Sequence, residues 1–382
     1  MPSTACICGI LLSYLVAPLL AQHFGPPHYQ HTQVISTVPA SGPSIAQWTS
    51  EFNDFDAPHL SSINDTSFEW WWFGAIDATG ATAHVIFFTS TTSAFPLSAA
   101  PNGTVLGISV QTTWPNGTFA EFALPAETAT FNWGDEGDAV IVDYQGPGVK
   151  AGFTSSPDLS HYTIFLDAPA YELSGTLEFE RTAPSHSCCT ASTGPGQPLQ
   201  VLPHLAWDNA LPAASVSVDM SVKGSPLSLV GGLGYHDHNW GDKPFLELIN
   251  FWYWGHAQLG PFTIVWFEGQ TPDGTTYSYG YLAEDDKLLL STCNVAEVTI
   301  RPYGNGAQYP PTLETYDFDY LIVEFDLQDQ GTFVANVSGV GLNKGPSIYH
   351  FWIGEASGGW KDGEVHTGLA EFEEFTLVGA SL

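Results

Sequence analysis

The densest polar cluster in the 382-residue chain is Gly231-Gly232-Leu233-Gly234-Tyr235-His236-Asp237-His238-Asn239-Trp240-Gly241-Asp242. On an extended backbone His236 and His238 point to one side, with Asp237 and Asn239 placed to orient them. Two histidines supply only part of the three or four ligands that a zinc site needs, and no further His or carboxylate follows at ligand spacing. Two readings remain: a polar network bracing a turn, or groups that exchange protons and hydrogen bonds with a ligand. Trp240 and Gly241 belong with the turn. A second set of residues stands in two aromatic runs, Glu69-Trp70-Trp71-Trp72-Phe73-Gly74 and Asn250-Phe251-Trp252-Tyr253-Trp254-Gly255. Side chains alternate along a strand, so Glu69, Trp71 and Phe73 share one face, as do Asn250, Trp252, Trp254, His256 and Gln258. A dry core avoids Glu69 and His256, and a solvent face avoids the tryptophans. A ligand cavity walled by indoles and tipped with a few polar groups fits this mixture, against the alternative of aromatic packing between two sheets.

Other chemistries find little support. There is no Gly-x-Ser-x-Gly elbow, no His-Glu-x-x-His, no P-loop and no dinucleotide fingerprint. The acidic pairs Glu373-Glu374 and Asp285-Asp286 read as solvated turn or edge charges. Eight Lys and Arg against 40 Asp and Glu leave a net charge of −32, which repels nucleic acid and anionic lipid. Only 13% of residues are charged and 14% are aromatic, so the chain can fill a large core instead of staying disordered. A secreted, acidic, aromatic-rich chain of this kind also suits a carbohydrate binder.

The elements that position these residues are short. Runs rich in Val, Ile, Phe, Tyr, Trp and Thr, such as His84–Thr89, Val105–Thr113, Ser215–Val222 and Phe262–Phe267, are broken about every ten residues by Gly, Pro, Asn or Asp. That spacing predicts an all-β, antiparallel sandwich or barrel. Each aromatic run precedes a loop with Gly80 or Gly260 and an apolar strand, which points to two related β-domains. The Ser-, Thr-, Pro- and Gly-rich stretch Thr182–Pro203 reads as their linker. The boundaries that follow are an N-terminal domain at 22–184, a linker at 185–203 and a C-terminal domain at 204–382.

Residues 1–21 read as a secretory leader: an apolar, uncharged stretch from Ile7 to Leu20, too short to span a bilayer, ending at Ala21. No other segment is apolar enough for a membrane helix. Secretion agrees with N-glycosylation sequons at Asn64, Asn102, Asn116 and Asn336. Without the leader three cysteines remain, so one bridge from Cys293 to Cys188 or Cys189 and one free thiol are expected. His23, His28 and His31 read as a mobile tail.

The strings Phe68-Glu69-Trp70-Trp71-Trp72-Phe73, Gly234-Tyr235-His236-Asp237-His238-Asn239-Trp240-Gly241-Asp242 and Phe251-Trp252-Tyr253-Trp254-Gly255-His256 together resemble the carotenoid hydratase and AttH-like tandem-lipocalin family. Its fungal members include Diels–Alderases of secondary metabolism. The resemblance covers most of the mature chain, and the Tyr-His-Asp-His-Asn-Trp-Gly string is its most specific part. It implies two lipocalin-like (calycin) barrels side by side, with a substrate pocket at or near their interface and no cofactor. The leader and sequons look most like the secreted hetero-Diels–Alderases that join a tropolone-derived quinone methide to a sesquiterpene such as humulene. The expected partner is thus a small apolar terpenoid or polyketide. On this reading Trp71, Trp252 and Trp254 form the cavity wall, and Glu69, His236, His238 and His256 offer hydrogen bonds. The alternatives are an intramolecular decalin-forming Diels–Alderase, an isoprenoid hydratase with Asp237 or Glu69 as acid, and a lipocalin-like carrier.

Overall fold

The computed structural model describes residues 31–51, 55–134, 140–190, 194–342 and 347–378. The expected leader 1–21, His23 and His28 lie outside these residues. His31, by contrast, opens the strand His31–Ser36 and stacks on Trp133, so it is not part of a free tail.

The protein is all-β, with two curled antiparallel sheets. The first runs through His31–Ser36, Thr128–Trp133, Ile141–Gly146, Val149–Ser155, His161–Ala168 and Leu173–Arg181 to the long strands Leu205–Val222 and Ser225–Gly241. It continues through Phe68–Ile76, Thr82–Ser90 and Leu106–Thr113 to Phe119–Pro125. The second has the order Lys287–Thr292, Thr276–Glu284, Phe262–Gln270, Phe251–Leu259, His366–Thr376, Tyr349–Trp360, Thr332–Gly341, Tyr320–Asp326, Val298–Tyr303. No helix among the described residues is long and apolar enough to cross a membrane.

Burial patterns show where the sheets meet. Ser215–Val222 and Phe119–Pro125 alternate buried and exposed residues, the signature of a sheet with one wet face. Phe68–Ile76 and Phe251–Leu259 are instead buried at all positions but one each. Their outer faces are covered by the opposite sheet, so three large apolar clusters result, one inside each curl and one between them, with a small fourth around Ile76, Ala183, Ala213 and Leu233. The repeat glycines serve this packing. A Cβ at Gly74 would overlap the Trp72 ring, and one at Gly255 the Trp266 ring.

The two aromatic strands hold equivalent places. Phe68–Ile76 lies between its hairpin partner Thr82–Ser90 and Ser225–Gly241; Phe251–Leu259 lies between its hairpin partner Phe262–Gln270 and His366–Thr376. Their faces, however, are offset by one residue. Trp71 enters the first sheet's core, while Trp252, its match in the repeat, lies between the sheets and Tyr253 takes the core position. A one-residue slip moves every side chain to the other face.

The division between the sheets falls after Gly241, so the composition-based boundary at 184/204 does not coincide with it. The strands from 205 to 241 complete the first sheet. The polar stretch before them is an excursion from that sheet: His186–Ser187 and Gln200–Leu202 pair with Leu205–Val222, and a disulfide joins Cys189 to Cys293. Cys188 keeps a buried free thiol.

Candidate active site

A cavity of about 250 Å³ lies between the two sheets. The hairpin Phe68–Ile76/Thr82–Ser90 contributes Trp70, Trp72 and Phe88 to its wall, and Leu205–Val222 contributes Trp207. The second sheet supplies Trp252, Trp254, Phe351 and Phe375. Trp72 and Trp254 meet edge to face at 5.5 Å and 73°, an arrangement that their quadrupoles favour. Polar groups are few: Asp237, Asn239, Glu373, His84 and Ser109, with the exposed pair Gln111–Glu121 at the rim.

Two carboxyl groups face this apolar space. Asp237 accepts hydrogen bonds from Trp207 Nε1 at 3.0 Å, Tyr235 Oη at 3.0 Å and Asn239 Nδ2 at 3.1 Å. Burial still pushes it up to about 7, the donors offsetting only part of the lost hydration. Glu373 accepts from Trp252 Nε1 at 3.0 Å. Burial pushes it up to about 8; bonds from Tyr349 and Trp252 pull it down, and the charge of Asp237 adds to the rise. At neutral pH Glu373 is therefore mainly a carboxylic acid, able to donate a hydrogen bond or a proton to an oxygen in the cavity.

A third polar group bridges the sheets. Glu371 Oε1 meets His84 Nε2 at 2.6 Å, and Oε2 meets His256 Nε2 at 3.1 Å. Burial alone would raise Glu371, but the charges and hydrogen bonds of the two histidines, His84 foremost, hold it at about 2. Burial lowers His256, against the hydrogen bond and charge of Glu371, which pull it up.

The remaining sequence candidates divide by face. His236 and His238 do share a side of Ser225–Gly241, but it is the interior of the first sheet, and it is Asp237 and Asn239 that reach the cavity. Glu69, Trp71 and Phe73 turn inward with the histidines, so Trp71 belongs to the core and is no cavity wall. His236 Nδ1 donates to the Trp72 carbonyl at 2.9 Å and Nε2 meets Asp56 Oδ1 at 3.0 Å, with Tyr162 Oη donating to the same carboxylate. Burial alone would raise Asp56, but the charge and hydrogen bond of His236 lead the contacts that hold it below the usual carboxylate range. Glu69 Oε1 accepts from the His59 amide at 2.6 Å and meets His238 Nε2 at 2.9 Å; burial pushes this carboxyl up to about 8. Asn250 ties its hairpin to Gln270 and Thr271, outside the cavity.

His59, Asp208 and His238 are buried with one potential ligand atom each inside a 4.8 Å cluster. A metal must lie in the plane of each imidazole that binds it. The His59 and His238 rings are stacked 4.9 Å apart at 15°, an arrangement that disfavours an ion lying in both ring planes. The cluster packs against Trp71 and Trp240 inside the first sheet and does not line the cavity.

Sequence reasoning missed Trp70, Trp72, Trp207, His84, Glu371 and Glu373. Glu373 and Glu374 are not solvated: they sit on His366–Thr376, Glu373 at the cavity and Glu374 buried on the other face beside Tyr253. The alternation Glu371-Phe372-Glu373-Glu374-Phe375 carried a signal, since no edge strand needs phenylalanine on both faces. Asp285 and Asp286 are exposed in a turn.

The Diels-Alderase-like family model matches residues 32–332. The chain belongs to that family. Among relatives of this Diels-Alderase-like protein, a quinolone epoxide rearrangement protein of Emericella nidulans is 29% identical over 88% of this chain and 90% of its own length. One from Penicillium thymicola is 29% identical over 87% and 91%. A Diels-Alderase of Chaetomium globosum is 24% identical over 81% of this chain and 72% of its own. The crystal structure of CghA with Sch210972 shares the fold, with a TM-score of 0.73 at 16% identity over 91% of this chain and 99% of that one.

Proposed function

We propose that this family member is a pericyclase that catalyses a stereoselective [4+2] hetero-Diels–Alder cycloaddition in the inter-sheet cavity. The reactants are a tropolone-derived quinone methide and a sesquiterpene such as humulene. A cycloaddition redistributes electrons between its two reactants, so the protein has to orient and polarise them. Trp70, Trp72, Trp252 and Trp254 would hold the apolar faces against each other, which removes translational and rotational freedom before the bonds form. Glu373, neutral at physiological pH, would donate to the carbonyl oxygen of the heterodiene, a bond that strengthens as charge develops there. The observation that carries the reading is a buried carboxyl group, Glu373, set among the indoles of the cavity and bonded to Trp252 Nε1.

The same acid favours a second reading. Protonation of an epoxide oxygen opens the ring, and the relatives of Emericella nidulans and Penicillium thymicola are quinolone epoxide rearrangement proteins. The test incubates the full chain, in parallel, with a quinone methide precursor plus humulene and with a quinolone epoxide. Products are resolved by chiral chromatography against a boiled control. Accelerated formation of one stereoisomeric adduct supports the cycloaddition; acceleration with the epoxide alone replaces it with the rearrangement.

We also infer that residues 1–21 direct the chain to the secretory pathway, where Asn102, Asn116 and Asn336, all exposed, would carry glycans more readily than the half-buried Asn64. Glycosidase treatment of the secreted chain should lower its mass; an unchanged mass would refute this.

A further inference from the structure

Glu371 is a carboxylate that accepts from both His84 and His256, and an ionised carboxylate has no proton to give. Each histidine must therefore present Nε2–H to it, and a ring that holds no second proton keeps Nδ1 as a lone pair. Neither Nδ1 has a hydrogen-bond partner, although both rings are buried. A buried acceptor without a donor costs free energy, which a ligand hydroxyl would recover. His256 is closed off behind Tyr235, whose ring stacks on it at 4.2 Å. His84 instead lines the cavity, between Trp72 and Phe351 at 5.3 and 5.4 Å.

Resting on the reading of this cavity as the substrate site, we propose that His84 is its proton acceptor, aligned by Glu371, and that the substrate carries an acidic hydroxyl, an enol or phenol, that docks on His84 Nδ1. The proton passes from the hydroxyl oxygen to Nδ1 and the electron pair stays on that oxygen. The imidazolium so formed is balanced by Glu371, in the way that a carboxylate supports the histidine of a hydrolase triad. Glu371 and His256 are positioning residues. With Asp237 and Glu373 as acids on the same walls, the cavity then sorts a substrate with two oxygens: the acidic hydroxyl goes to His84 and the carbonyl or epoxide oxygen to the carboxylic acids. A hydrocarbon alone would use neither.

The test uses para-nitrophenol, whose anion and neutral form absorb at different wavelengths, with the full chain at a pH where the free probe is neutral. Quenching of tryptophan fluorescence reports occupancy of the indole-lined cavity without reference to protonation. The expected result is quenching together with the nitrophenolate band, and His84→Gln retaining the quenching while losing the band. The methyl ether para-nitroanisole, which has no proton to give, should bind the wild-type protein roughly tenfold more weakly. That comparison stands if His84→Gln does not fold. Quenching without the band in the wild-type protein, or a band that survives in His84→Gln, overturns the acceptor role and leaves His84 as a clamp between the sheets. Equal affinity for the phenol and its ether overturns it as well. Absence of quenching overturns the wider reading of the cavity as a site for aromatic substrates.

Discussion

Replacing Glu373 by glutamine tests the acid on which the proposed chemistry turns. With this carboxyl pushed up to about 8, the protonated form outnumbers the anion by about ten to one at pH 7. The rate of the catalysed step should therefore bend near pH 8 and fall about tenfold per pH unit beyond it. Glu373→Gln keeps a donor at the same place but cannot release a proton. If the acid only polarises the heterodiene, the weaker amide donor costs no more than about tenfold, the worth of one whole hydrogen bond. If it transfers its proton, as an epoxide opening requires, the loss is about 10²–10⁴-fold. Trp252→Phe removes the indole N–H that stabilises the Glu373 carboxylate, so the bend should move above 8. Glu374 is also pushed up to about 8 but faces away from the cavity, and Glu374→Gln should leave the profile in place. The assay is single-turnover product formation across the pH range, with folding monitored in parallel. A rate that stays flat through pH 8, or a Glu373→Gln protein as fast as wild type, would refute the assignment.

Three further outcomes follow from the geometry. Trp71→Ala should cost about 3–5 kcal/mol of stability with little change in ligand affinity, because Trp71 fills the first sheet's core. Trp254→Ala should weaken ligand binding; denaturant melts and ligand titration separate the two, and similar affinity losses in both would contradict the face assignment. Cys188 Sγ lies 3.6 Å from Cys293 Sγ, so Cys189→Ser can form the alternative bridge. Cys293→Ser cannot, and should lose the full effect of closing a loop over 104 positions, about 4–5 kcal/mol, as peptide mapping and thermal melts would show; equal losses would count against the exchange. Stability should also fall as pH rises from about 6.5 to 8. There the folded chain holds protons on Glu69, Asp237, Glu373 and Glu374 that the unfolded chain has released, so the unfolded state binds fewer protons and the slope is negative. Below about 6.5 the neutral buried His186 opposes this trend, since it is held to about 3 in the fold and the unfolded chain takes up its proton. A melting temperature that rises between pH 6.5 and 8 would contradict it.

Much of the architecture was legible in the chain itself. Alternating apolar runs punctuated by Gly, Pro and Asn give antiparallel strands, because side chains on a pleat alternate and turns need those residues. The two aromatic runs mark equivalent strands, and the Tyr-His-Asp-His-Asn-Trp-Gly string marks the family. The composition likewise excludes nucleic-acid partners through its charge. What periodicity could not supply was the identity of each face. It groups His236 with His238 and Asp237 with Asn239, yet says nothing of which pair looks into the first sheet and which across to the second. Two curled sheets bury both faces of their central strands, so the usual cue of one apolar and one polar face disappears from Phe68–Ile76 and Phe251–Leu259. The partnership of His84 with Glu371 spans 287 positions, and that of Trp252 with Glu373 spans 121. Separations of that size are fixed by sheet packing alone. The same packing removes water from Asp237 and Glu373, and so turns two ordinary carboxylates into the acids of the site.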